Sequence, residues 1–236
     1  MKLRTHYIFS WGLISLVFSL LSKYGLFNIL SNVISSLFGV NPPNTLPDPS
    51  NYTFTLLLLL NNLVMTFLFN FIVMAFIISY LGNRIVDGFG HKRVQSNKGE
   101  MLVRTQRTHT VPRSIAWGLL STLPFLAYLL VISYFFSTYL KSPSDFLHYF
   151  VLVNIVPAII AGIIVGPSHM LLDVFTEKGI YTKKDGQWVR FALAHRKFND
   201  SLANNIALAL GILMLLFSIW ELYSNYILYI YHYFVV

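Results

Sequence analysis

Five apolar stretches, at residues 7–27, 52–81, 115–140, 146–172 and 202–235, dominate the chain. A helix needs about 20 apolar residues to cross a bilayer, and each stretch supplies them. Backbone polar groups in hydrocarbon must be satisfied internally, so runs of this length read as transmembrane helices. The last stretch exceeds one crossing. Glu221, followed by Tyr223, Tyr226, Tyr229, Tyr231 and Tyr233, marks an exit into the headgroup layer, so that span should end near Trp220. The expectation is an all-α polytopic membrane bundle of about five helices forming one integral membrane domain over 1–236. Composition agrees: 56% of residues are hydrophobic and 11% charged, against roughly 25% charged in an average chain. With no cysteine, disulfides, thiolate zinc sites and cysteine catalysis are excluded, and any metal must be held by His, Asp or Glu.

The net charge of +8 is explained by where the bases fall. Arg84, Lys92, Arg93, Lys98, Arg104, Arg107 and Arg113 lie between spans two and three, and Lys178, Lys183, Lys184, Arg190, Arg196 and Lys197 between spans four and five. Segment 41–51 has no base, and the 141–145 turn has Lys141 alone. Five crossings with the N-terminus cytoplasmic and the C-terminus extracellular put every basic segment inside, as a multi-pass cell-membrane protein requires. This topology accounts for the charge without nucleic acid, for which no aromatic-interleaved basic motif is present. The first stretch begins MKLR and continues through Phe27 without a small-residue cleavage pattern, so it reads as a retained anchor. Residues 82–113 read as a polar inner segment with room for a short helix. Within the second polar inner segment, 176–201, the alternating Ile180, Tyr181 and Trp188 around Asp185-Gly186 predict a hairpin lying over the inner face.

Of seven histidines, this topology puts five at the inner face: His6, His91, His109, His169 and His195. Asp87 and Asp173 fall in the same layer, and Asp87/His91 and His169/Asp173 are four residues apart, a spacing that places each pair on one helix face. Taken singly, a boundary histidine is an ordinary amphipathic side chain at headgroup depth. Asp173 is different, because it ends the apolar run AIIAGIIVGPSHMLLD, where an unpartnered carboxylate is costly. A layer of imidazoles and carboxylates suits a divalent ion, Zn²⁺ foremost, with Mn²⁺ and Fe²⁺ served by the same donors.

Five segments, RTHYIFSWG at 4–12, IVDGFGHKRVQSNKG at 85–99, RTQRTHTVPRSIAWG at 104–118, GPSHMLLDVFTEKGIYTKKDGQWVRFALAHRKFND at 166–200 and the Asn-rich start of the last span, resemble an uncharacterised archaeal membrane-protein family of thermoacidophiles and their viruses and plasmids. That family is distantly similar to bacterial inner-membrane metal-dependent hydrolases of the LexA-binding type. The resemblance matches His6 to an amino-terminal histidine, Asp87 and His91 to an acidic element, Thr108 and His109 to a Thr-His pair, and Ser168, His169, Asp173 and Thr176 to a closing Ser-His-x-x-x-Asp-x-x-Thr motif. Two departures favour one metal over two: the acidic element has a single acid, and Arg104 replaces a histidine.

The resemblance implies a metal-dependent hydrolase at the cytoplasmic membrane face. In that reading Asp87, His91, His109, His169 and Asp173 are metal ligands, and His6 or His195 exchanges a proton. Arg107, with Arg104 and Arg113, holds an anionic lipid or phosphoester substrate; positive-inside topology explains the same arginines without one. Ser168 lacks a Gly-x-Ser-x-Gly elbow and reads as a helix-bending hydroxyl after Pro167. Thr108 and Thr176 are expected to orient histidines. The rival reading is a non-catalytic membrane scaffold or partner-binding protein whose His/Asp cluster is structural. A transporter, the third alternative, would place polar residues near the bilayer midplane and often show repeats, and neither is visible.

Overall fold

The computed structural model describes residues 1–26, 29, 33, 36, 73–96, 99–139 and 144–235. It is mainly helical: α1 (Leu3–Lys23), α2 (Ala75–Gly90), α3 (Val111–Leu120), α4 (Leu123–Tyr139), α5 (Ser144–Val174) and α6 (Ser201–Val235). Two antiparallel hairpins join them, β1 (His91–Ser96) with β2 (Gly99–Arg104), and β3 (Ile180–Lys184) with β4 (Gln187–Phe191). Among the described residues, four stretches are long and apolar enough to cross a membrane: Leu3–Lys23, Val111–Phe135, Asn154–Val174 and Ser201–Leu222. These agree with an all-α membrane bundle. Most of the expected second span, 52–81, including Asn61, Asn62 and Asn70, lies outside the described residues; its end enters α2.

Local chemistry explains the breaks. The sequence suggested one helix over 115–140, but Pro124 has no N–H to continue the ladder, and α3 gives way to α4 there. The Ser121 and Thr122 hydroxyls donate to the Gly118 and Leu119 carbonyls at 2.6 and 2.7 Å, reinforcing the bonds that the amides of the same two residues make to those carbonyls at 3.0 and 3.1 Å. α1 ends at Lys23 with Tyr24 as its cap, and Gly25 follows at φ +66°, the left-handed conformation that glycine reaches without strain. α6 begins at an Asp200 cap, whose Oδ1 accepts from the Ala203 N–H at 3.0 Å, and that bond holds its carboxyl below the ordinary range. The helix then runs on past Trp220 to Val235.

Segment 82–113 also differs from expectation. Its helix, α2, continues to Gly90, and the chain then forms a hairpin in register from His91↔Arg104 to Ser96↔Gly99. The second hairpin is as anticipated, with Asp185 at φ +50° and Gly186 at φ +80° forming the turn.

A core of Ile14 and Phe18 from α1, Met74, Ala75 and Ile78 at the start of α2, Phe125 and Leu129 from α4, and Ala158, Ala161 and Val165 from α5 holds the bundle. α1 and α6 approach closely at Gly12 and Gly211, where a Cβ on Gly12 would collide with the Gly211 carbonyl oxygen. Small residues at such a crossing let backbones meet without a hydrophobic driving force. Near that crossing, Asn204 Oδ1 of α6 accepts from the Lys2 N–H and the Thr5 hydroxyl, both at 2.9 Å. The start of α1, the end of α2, the approach to α3 and the end of α5 therefore share one end of the bundle with the start of α6.

Candidate metal centre

At that end the separated donors meet. Asp173 is central, fully buried one turn after His169 on α5. Its Oδ2 lies 3.3 Å from His169 Nε2 and 3.5 Å from His109 Nε2, and its Oδ1 lies 3.3 Å from His6 Nε2. Asp87 Oδ1 stands 3.5 Å from His169 Nε2 and 3.6 Å from His91 Nδ1. The donors form a buried triad, His6, His169 and Asp173, and an outer triad, Asp87, His91 and His109, each able to hold a metal ion. Contacts between the triads, at 3.5 Å, fall within the 3.3–3.6 Å range of those inside them, so the layer is continuous. His6 stacks on His169 with ring centroids 3.9 Å apart.

Hydrogen bonds to the far sides of the rings fix which nitrogen faces inward. Asn83 Nδ2 donates to the Ser79 carbonyl at 2.7 Å, which can only accept, so Asn83 Oδ1 faces His169. It is 2.7 Å from His169 Nδ1, which must therefore donate. The Thr108 hydroxyl donates to the Val86 carbonyl at 2.7 Å and lies 3.0 Å from His109 Nδ1, so that nitrogen is again the donor. In the neutral rings both Nε2 atoms then present lone pairs to Asp173 Oδ2. His109 Nε2, His169 Nε2 and Asp173 Oδ2 are all buried without a hydrogen-bond partner. Such an arrangement is repulsive unless a proton or a cation lies between the atoms.

The spacing suits a cation. Hydrogen bonds to carboxylates are usually about 2.7–2.9 Å, shorter than these contacts. Ligands about 2.0–2.1 Å from a tetrahedral Zn²⁺ stand roughly 3.3–3.4 Å apart, close to the observed separations. Burial pushes His109 down to about 3, so its imidazole is neutral and free to coordinate at ordinary pH.

Arg104 takes a different part from the one its basic neighbourhood suggested. Its guanidinium is buried and donates to Asp173 Oδ1 at 2.6 Å and to Thr176 Oγ1 and the Gly179 carbonyl at 2.9 Å each. It thus neutralises part of Asp173 and occupies the oxygen that a second cation would need. Thr176 touches Arg104 and the Asp173 carbonyl and not a histidine, unlike Thr108. Ser168 donates to the Val165 carbonyl at 2.8 Å and contacts Ser10, a back-bond inside α5 of the kind expected of a hydroxyl after Pro167.

The remaining candidates separate. His6 belongs to the buried layer. His91 stays half-buried at its edge, with Nδ1 2.7 Å from the Asp87 carbonyl. His195 is exposed, at φ +50° in the connection before α6, and is not among the clustered donors. Arg107 is exposed, with its guanidinium over the Phe89 and Trp117 rings. Asn83 was missed by the sequence reading. The available signal was its position one turn before Asp87 in a mainly apolar helix, where a polar side chain facing the bundle needs a buried partner.

A family model matches residues 1–48 and 49–172, most of the chain. The chain belongs to the family described as a protein of unknown function, DUF1286. No curated protein and no solved structure matches it. In this DUF1286 chain the matched region contains His6, Asp87, His91, His109 and His169 and ends immediately before Asp173.

Proposed function

We propose that the chain is a membrane-embedded metal-dependent hydrolase acting at the cytoplasmic face on a lipid-like substrate. The observation that supports this reading is the set of three buried, hydrogen-bond-free atoms, His109 Nε2, His169 Nε2 and Asp173 Oδ2, spaced like ligands of one ion. These residues and Asp87 would hold a divalent cation, Zn²⁺ foremost, with His91 at the margin. A bound divalent cation makes water more acidic and polarises the bond under attack. The chain's own residues set the geometry: Asn83 and Thr108 hold the imidazoles by their Nδ1 atoms, and Arg104 fixes Asp173. His195 is too exposed and separate to serve as the internal proton carrier, which leaves His6 and His91 beside the carboxylates. The cytoplasmic assignment rests on the basic connections around this layer.

One observation favours the scaffold reading: Arg104 already supplies a positive charge to Asp173, as a purely structural polar cluster would require. Metal analysis separates the two. Purified protein should carry about one divalent ion per chain, and His169→Ala and Asp173→Asn should lose it together with hydrolysis across a panel of phospholipids and esters. Folded wild-type protein that stays metal-free when offered Zn²⁺, Mn²⁺ or Fe²⁺ refutes the enzyme.

A further inference from the structure

Beside the donor layer lies an open cavity of about 530 Å³, lined by Arg104, Thr105, Gln106, Arg107, Arg113 and Tyr181. We infer that this cavity is the headgroup subsite of the proposed hydrolase and takes a phosphate group carried on a membrane lipid. The inference rests on the hydrolase reading for its chemistry, but the cavity's own features specify the ligand.

Three arginines line the cavity, and among the described residues no acidic one does. Arg107 and Arg113 are both exposed, and neither forms an ion pair with an acid among the described residues. They are nevertheless held in place. Arg107 lies over Phe89 and Trp117, and its carbonyl accepts from Trp117 Nε1 at 3.0 Å. Arg113 lies over Trp188 and donates to the Gln106 carbonyl at 3.0 Å. Cations fixed by aromatic faces lose little freedom when an anion arrives, and the planar fork of arginine suits phosphate oxygens. Solvated topology charges would need no such supports.

Arg104 connects this cavity to the donor layer. One side of its guanidinium reaches Asp173, while its Nε is buried without a hydrogen-bond partner. Arg104 lines the cavity and donates to Asp173, so the cavity adjoins the metal ligands through that residue. The source of the phosphate follows from depth. Arg113 sits in the first turn of α3, at the end of the apolar stretch Val111–Phe135, where lipid headgroups lie. The β3–β4 hairpin supplies Tyr181 to the cavity wall and the Trp188 that backs Arg113.

The test is calorimetric titration of full-length protein in neutral detergent with dihexanoyl phosphatidic acid, dihexanoyl phosphatidylcholine, glycerol 3-phosphate and inorganic phosphate. Saturable binding of phosphatidic acid, stronger than phosphatidylcholine, is expected, with about a tenfold or greater loss in Arg107→Gln and in Arg113→Gln. Lys183→Gln, on the exposed hairpin surface, should change it less than twofold. Equal, arginine-dependent binding of glycerol 3-phosphate supports the phosphate site but overturns the lipid source. Absence of phosphate binding, or an equal loss in Lys183→Gln, overturns the subsite and leaves only diffuse surface charge. The two readings fail separately: a metal-free protein with arginine-dependent phosphate binding removes the hydrolase alone, and a metal-loaded hydrolase indifferent to both arginine changes removes the subsite alone.

Discussion

Replacing Asn83 with leucine tests the central geometric claim, because it nearly preserves volume while deleting the acceptor that holds His169. The bond is 2.7 Å long and both residues are fully buried, so water cannot substitute for the lost oxygen. A buried donor left without a partner costs about 1–3 kcal/mol. Loss of a group that orients a metal-binding histidine lowers metal affinity about 10–100-fold, which is about 1.4–2.7 kcal/mol. The two ranges overlap, as they should for one interaction. His169 can also avoid the stability cost by moving its proton to Nε2, where Asp173 Oδ2 lies 3.3 Å away. That shift blocks the atom a metal needs. Asn83→Leu should therefore lose more metal affinity than stability, while Asn83→Asp, which keeps an acceptor, should bind at least as tightly as Asn83→Leu. Competition against a chelating dye measures the affinity, and melting in excess Zn²⁺ or chelator measures the stability. Wild-type affinity in a folded Asn83→Leu protein would refute the tautomer argument.

Other outcomes follow from the same contacts. In Gly90→Ala the new Cβ collides with Thr108 Oγ1 and the His109 ring, so a loss of about 1–3 kcal/mol from overpacking should outweigh the helix-propensity gain of about 0.5–1 kcal/mol, with weaker metal binding; a rise in melting temperature would contradict it. Arg104→Gln leaves Asp173 buried without its guanidinium and should cost about 3–5 kcal/mol by denaturant titration, with only partial recovery in Arg104→Lys. His109 titrates at about 3 when folded and near its ordinary value of about 6.5 when unfolded, so the unfolded chain binds the extra proton between those values. Metal-stripped protein should accordingly hold its full stability above about pH 6.5 and lose it as pH falls toward 3, and His109→Gln should flatten that part of the profile. An unchanged slope would show that His109 is not the neutral buried group described.

Much of the site was legible because its residue types are rare in apolar helices. His169 and Asp173 stand out at the end of α5, and their four-residue spacing predicts a shared face, which the structure bears out. The β3–β4 turn was readable from Asp185-Gly186, whose positive φ values need such residues. The β1–β2 hairpin was obscured because its strands are rich in bases that topology already explained. His6 and His195 looked equivalent in the sequence, yet one is sealed against His169 and the other is exposed. Arg104 resembled its basic neighbours, although it is the one that donates to Asp173.

The sequence by itself determined that this chain builds apolar helices of membrane length and carries an imidazole and carboxylate supply near their ends, because hydrophobic length and residue type are local properties. Only the tertiary structure decided which donors share a pocket, which arginine neutralises Asp173 and which nitrogen of each ring faces inward. Those outcomes depend on close helix crossings, such as that at Gly12 and Gly211, and on hydrogen bonds between residues far apart in the chain.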